Sequence, residues 1–184
     1  RTLERLIENP KIEKIIATGR VIRPTHFVEN NKINYLLGDL EGADFVSKLV
    51  EQVDYIIHAA ALSSPWGKYA EFEKANLFTM NNLINAAKKH HIKRFVCVST
   101  PSLYFDGQDR FDVKESDPLP RKFVNAYSKT KYEAELALEK SGISYVTLRP
   151  RALIGRGDVI IMPRLIRAFE EGKLKIIGDG KNIV

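Results

Sequence analysis

Tyr127 and Lys131 stand four residues apart in Asn125-Ala126-Tyr127-Ser128-Lys129-Thr130-Lys131. On a helix that spacing puts both side chains on one face, with Cβ atoms roughly 6 Å apart. An ammonium beside a phenol favours the ionised phenol, so such a pair can give or take a proton near neutral pH. A chain with 7 tyrosines and many lysines also shows Tyr-x-x-x-Lys by chance, as a solvated helix face. Other elements decide between the two readings, by bringing or not bringing more chemistry to the same place.

Those elements alternate. Thr2 to Glu8 reads as the end of a helix, stopped near Asn9-Pro10. Short strands are expected at Lys11–Thr18, Ile33–Leu37 and Val53–His58, with a helix over Ala43–Glu51. A long helix follows, Tyr69 to His90, with Phe72, Ala75, Leu77, Met80, Leu83, Ile84 and Ala87 on its inner stripe. Arg94–Ser99 is apolar enough for a strand covered on both faces. Thr100 to Arg121 is a long loop of the kind that often carries function. The helix bearing Tyr127 and Lys131 runs to about Lys140 with Gly142 as its cap, and a strand spans Ile143–Leu148. Ile160–Glu171 is expected as a helix and Leu174–Ile177 as a last strand.

Alternating strands and helices imply an α/β fold with a parallel sheet and helices on both faces. Ligands then bind at the carboxyl ends of the strands. The polar and glycine signals collect there: Gly19-Arg20, Gly38-Asp39, His58-Ala59-Ala60, Ser99-Thr100 and Arg149-Pro150. This clustering raises Tyr127 and Lys131 above coincidence.

Composition narrows the class. Hydrophobic residues make up 44% and charged residues 28% of 184, which fits a globular domain with a sizeable core. The net charge of +6 is spread among acids such as Glu133, Glu135, Glu170 and Glu171, with no basic-aromatic stripe. That pattern argues against nucleic acid and for attraction of an anionic ligand. No apolar run reaches the ~18 residues of a membrane span. Cys97, the single cysteine, lies in an apolar run and reads as a buried reduced thiol, which points to the cytoplasm. No metal-ligand set is expected.

Taken together, the motifs resemble the extended short-chain dehydrogenase/reductase family, in its epimerase/dehydratase and hydroxysteroid-dehydrogenase branch. Gly38-Asp39-Leu40 is similar to the family's Gly-Asp-Leu, whose acid accepts from the adenine amino group and whose leucine packs the ring. His58-Ala59-Ala60-Ala61 is similar to the strand end where small residues let the backbone approach the cofactor, with His58 itself read as structural. Asn76 matches an asparagine of the long helix near the cofactor. Ser99-Thr100-Pro101-Ser102-Leu103-Tyr104 matches the hydroxyl motif, with Thr100 in the catalytic place and Ser99 and Ser102 as alternates. Tyr127 and Lys131 match the catalytic pair, and Arg149-Pro150 begins the segment that lines the nicotinamide side.

The resemblance therefore implies a Rossmann-type doubly wound parallel sheet. It assigns catalysis to Thr100, Tyr127 and Lys131. It assigns cofactor binding to Arg20, Asp39, Leu40, Ala59, Ala60, Asn76, Ser99, Tyr127, Lys131 and Pro150. Residues 1–157 form the dinucleotide-binding part, and residues 158–184 begin a substrate-binding part. The family's Gly-x-x-Gly-x-x-Gly turn has no match here. That turn belongs to a first strand, central in the sheet, between the strands near residue 15 and residue 55. With Arg1 as first residue, the chain is expected to be part of a longer polypeptide. Alone it is expected to fold poorly and to hold cofactor weakly.

The second strand sets cofactor choice. An acid there binds the ribose hydroxyls of NAD, whereas arginine accommodates the extra phosphate of NADP. Thr18-Gly19-Arg20, with Arg23 following and no acid, favours NADP(H), with NAD(H) as the alternative. Trp66, Leu103, Phe105, Phe111 and Phe123 are candidates for an apolar substrate pocket, and Tyr104-Phe105 departs from the Tyr-Gly of nucleotide-sugar enzymes. The implied function is hydride transfer between NAD(P) and a carbonyl or secondary alcohol of a sterol- or oxoalkanoate-like substrate. The alternatives are a nucleotide-sugar epimerase or dehydratase, and a cofactor-sensing non-enzyme on the same fold. The family also implies a homodimer through the long helix and the tyrosine-bearing helix.

Overall fold

The computed structural model describes residues 1–108, 110–158, 161–176 and 178–180. The chain runs α1 (Thr2–Ile7), β1 (Ile15–Gly19), a 3-10 turn (Pro24–His26), β2 (Ile33–Leu37), α2 (Ala43–Val50) and β3 (Tyr55–His58). Then come α3 (Tyr69–Phe72), a π-helical turn (Glu73–Phe78), α4 (Thr79–Lys89), β4 (Arg94–Val98), a 3-10 turn (Pro101–Tyr104), α5 (Ala126–Glu139), β5 (Tyr145–Leu148) and α6 (Ile161–Glu170).

All strand pairs are parallel, in two separate ladders: β1 with β2, and β3-β4-β5. The break falls between β1 and β3, where the resemblance puts its absent central strand. In the larger ladder Ile56 and His58 lie beside Phe95 and Cys97, on the face that receives α4 and α5. Val46, Leu49 and Val50 of α2 join Met80, Leu83, Ile84 and Ala87 of α4, and Ala134 and Leu138 of α5, in that core. These are the apolar positions that a 3.6-residue period predicts.

The opposite face differs from expectation. Tyr55, Ile57, Val146 and Leu148 are exposed there, and Val96 and Val98 are half-buried. The apolar run of β4 is thus covered on one face, because α2, α4 and α5 all pack on the other.

Four local differences have local causes. β1 begins at Ile15 because Asn9 first folds the chain, its backbone and side-chain oxygens accepting from Ile12 and Lys11. The long helix contains a π-helical turn instead of running unbroken. The loop after β4 starts with a 3-10 turn capped by Thr100. Leu174–Ile176 is no strand, since the Leu174 N–H is taken by the Ala168 carbonyl at the end of α6. Ile160 and Ile177, the outer bounds expected for those last two elements, lie outside the described residues.

Candidate functional site

Two of the catalytic candidates, Lys131 and Thr100, lie at the carboxyl end of β4, and Tyr127 stands on the same helix as Lys131. Asn125 caps α5: its backbone is extended and its Oδ1 accepts from the Ser128 N–H at 2.8 Å. That start sets the helix phase, so Lys131 faces the sheet. Its side chain is buried, and Nζ donates to the Val98 carbonyl at 2.8 Å. Tyr127, one turn earlier, is half-buried. Two residues beyond Val98, Thr100 caps the 3-10 turn; its Oγ1 accepts from the Ser102 N–H at 3.2 Å and donates to Ser102 Oγ at 3.0 Å. Thr100 and its alternate Ser102 are therefore one hydrogen-bonded unit. Ser99 continues the ladder through its N–H to the Leu148 carbonyl, while its buried Oγ has no protein partner among the described residues.

Burial lowers the pKa of Lys131, and the nearby Cys97 and Glu135 oppose that shift. Desolvation pushes the Cys97 thiol up. His58, paired with Cys97 across the ladder, is held down at about 4 by burial and then by the charge of Lys131. It is neutral at physiological pH, in keeping with its reading as a structural histidine.

Glu135 extends the face made by Tyr127 and Lys131 by one more turn, and that spacing is the signal in the sequence that points to it. Its carboxylate accepts from Arg149 Nε at 3.2 Å and Nη2 at 2.6 Å. Arg149 also donates to the Tyr104 hydroxyl and lies over its ring, with Cζ 5.2 Å from the centroid. The Tyr104 hydroxyl donates to the Glu115 carbonyl at 3.0 Å. One half-buried guanidinium thus ties α5, the end of β5 and the loop after β4 together. Half-buried Pro150 follows it directly.

The cofactor candidates lie along the other strand ends. Arg20 and Asp39 form a loose exposed pair at 3.7 Å. Asp39 Oδ1 accepts from the Glu41 N–H, and Asn82 Nδ2 donates to the Leu40 and Glu41 carbonyls at 3.0 and 3.1 Å. Asn82 so fixes the Asp39-Leu40-Glu41 turn, a role its sequence position does not advertise. Leu40 packs on the core. A Cβ on Gly38 would fall 2.5 Å from the Phe45 ring, which is why glycine precedes Asp39. Ala59 and Ala60 are exposed after β3. Beside them a groove of about 310 Å³ is lined by Arg20, Glu41, Ala61, Leu62, Lys74 and others. The groove's charges are balanced, Arg20 and Lys74 against Glu41 and Glu71, with Lys74 paired to Glu41 at 2.7 Å; the exposed Arg20 and the small Ala61 and Ala75 are what it offers the outer part of a nucleotide. Asn76 is buried and hydrogen-bonds within the protein.

The proposed apolar pocket does not assemble as expected. Leu103 is fully buried in the core. Trp66, Phe105 and Phe111 are exposed, and Phe123 packs on the Tyr132 ring at 5.1 Å.

Comparison with known proteins agrees with this fold. The model of the NAD dependent epimerase/dehydratase family matches residues 1–184. A 2-alkyl-3-oxoalkanoate reductase of Stenotrophomonas maltophilia is 34% identical over 157 residues, which is 83% of this chain and 48% of that protein. A decarboxylating sterol-4-alpha-carboxylate 3-dehydrogenase of Candida albicans is 34% identical over 161 residues, 83% of this chain and 45% of its own. The chain spans about half the length of these curated relatives. In fold it is similar to the Bordetella bronchiseptica enzyme WbmH, solved in complex with NAD+, with a TM-score of 0.82, 24% identity, and coverage of 93% of this chain and 58% of that one. Its parallel ladders, strand-end site and full-length family match make the chain a member of the NAD-dependent epimerase/dehydratase family, within the extended short-chain dehydrogenase/reductases.

Proposed function

We propose that the full-length protein is an oxidoreductase that moves hydride between a nicotinamide cofactor, NADP(H) by preference, and a carbonyl or secondary alcohol of an apolar substrate. The observation that carries this reading is the buried Lys131 ammonium on the Val98 carbonyl, with Thr100 two residues beyond that carbonyl and Tyr127 one helical turn before Lys131. The names of the two curated relatives support the substrate class, an oxoalkanoate or a sterol.

Nicotinamide, when bound, supplies or accepts the hydride. In the reducing direction the Tyr127 hydroxyl gives its proton to the substrate oxygen. Thr100 Oγ1 turns its hydrogen from Ser102 to the same oxygen. Lys131 supplies a fixed positive charge one helical turn from Tyr127 and, by resemblance, holds the nicotinamide ribose. Arg20, Asp39, Leu40, Ala59, Ala60, Ser99 and Pro150 line the cofactor's path. Exposed Arg20 beside Gly19 favours the additional phosphate of NADP(H).

The same reading takes residues 1–157 as the dinucleotide-binding part and residues 158–184 as the start of the substrate-binding part. It puts the protein in the cytoplasm, and pairs two copies through the long helix and α5. Tyr127→Phe in the full-length protein should lower turnover about 10²- to 10⁴-fold, the usual worth of a general acid. Turnover at the wild-type rate overturns the assignment. NADPH should bind more tightly than NADH in a direct titration.

A further inference from the structure

The groove at the strand ends is crossed by one ion pair. Glu41, in the turn after β2, places Oε2 2.7 Å from Lys74 Nζ, on the π-helical turn of the long helix. Both residues line the groove, as do Ala61 and Leu62 of the loop after β3. The contact therefore joins two walls that come from distant parts of the chain.

The two ends of this contact are held differently. Asn82 Nδ2 donates to the Leu40 and Glu41 carbonyls at 3.0 and 3.1 Å, so the backbone under Glu41 is fixed from α4. The Lys74 side chain is 66% exposed and has no other ion pair or hydrogen bond among the described residues. Its ammonium rides on a flexible four-carbon stem above a fixed helix. Glu71, three residues earlier on that helix, is exposed and lines the same groove, within reach of a lysine at that spacing. Lys74 thus has a second carboxylate to turn to when it leaves Glu41. An exposed pair contributes little, so a contact of this kind opens readily.

We infer that Lys74 and Glu41 form a strap across the groove that opens for the outer part of the nucleotide to enter or leave, with Glu71 as the partner of the ammonium in the open state. The Lys74 charge is answered by Glu41 when the strap is shut, so the strap does not discriminate NADP(H) from NAD(H). Arg20, with its looser 3.7 Å pair to Asp39, is the residue left for that choice. The inference rests on the oxidoreductase reading. Net hydride transfer uses up one nicotinamide per turnover, so the cofactor has to exchange each time. A weak latch suits that demand, whereas an enzyme that returns the hydride to its own substrate keeps its cofactor.

Dissociation of NADPH and of NADH from the full-length protein tests it, read in stopped flow as nicotinamide fluorescence lost on displacement by excess oxidised cofactor. Lys74→Met keeps the stem and removes the charge. It should speed release about two- to fivefold for both cofactors, the scale of an exposed pair. Glu41→Gln should match it, and the two changes together should add nothing further. Exchanging the charges, Lys74→Glu with Glu41→Lys, should bring release back toward the wild-type rate. Glu71→Gln, which removes the partner of the open state, should slow release. Added salt should speed release from the wild type and not from Lys74→Met. Unchanged release in Lys74→Met overturns the strap. So does an effect confined to NADPH without recovery in the exchanged pair, which would make Lys74 a phosphate contact. If the wild type binds neither NADPH nor NADH, the oxidoreductase reading falls and the strap with it, whereas normal binding with unchanged release removes the strap alone.

Discussion

The two ladders of this chain are built in opposite ways. Around β3-β4-β5, helices α2, α4 and α5 bury a contiguous core, and charged groups such as Lys131 and Glu135 are drawn inside it. Around β1-β2 Ile15 alone is buried among the described residues, and the polar groups at the strand ends, Arg20 and Asp39, stay in water. Under the proposed function this difference suits what each half would do. Proton transfer needs groups fixed in a poorly hydrated place, where small displacements and nearby charges matter. Gripping the outer part of a nucleotide needs exposed charge, which can be altered with little effect on folding.

This contrast makes graded predictions. Phe95→Ala empties the centre of the larger ladder and should cost about 3–5 kcal/mol in denaturant unfolding. A loss below about 1 kcal/mol would mean the core is not where stability resides. Arg149→Met leaves the Glu135 carboxylate buried without its partner. The cost should be about 3 kcal/mol, at the low end for buried pairs since Arg149 keeps 21% side-chain exposure.

His58 adds a pH test. Its folded pKa of about 4 lies below the model-peptide value of 6.5, so the folded state keeps it neutral while the unfolded chain takes up a proton. Stability is full above pH 6.5 and falls by about 3 kcal/mol as pH drops from 6.5 to 4. His58→Asn should remove that slope, as read from unfolding midpoints across pH. In the thinner half, Ile15→Val should cost only about 1 kcal/mol. Arg20→Ala should move stability by less than about 0.5 kcal/mol while weakening NADPH more than NADH. An Arg20 variant that unfolds early would erase the contrast between the halves.

Much of this organisation is legible in the sequence, for identifiable reasons. Ile33–Leu37 matches the observed β2 at both ends, and α2 and α5 fall within a residue of their expected ends, because period and capping residues are local properties. The collection of Gly19, Asp39, Ala59, Thr100 and Arg149 at strand ends follows from alternation alone. The π-helical turn carries no such mark, since Glu73–Phe78 has ordinary helical composition. The Glu135–Arg149 pair spans 14 residues and depends on how α5 lies against β5. The loop setting of Leu103 suggests a pocket, but a short 3-10 turn carries it into the interior. What stayed hidden is tertiary: which face of β4 the helices cover, and which polar side chains spend their hydrogen bonds inside the protein.

Cys97 gives the buried half a clock of its own. It is the sole cysteine in the sequence, it is wholly shielded from solvent, and its burial keeps it a slow-reacting thiol. A thiol reagent can reach it only when β4 parts from the helices above it. The rate at which a label appears on Cys97 therefore times the opening of the floor beneath Lys131.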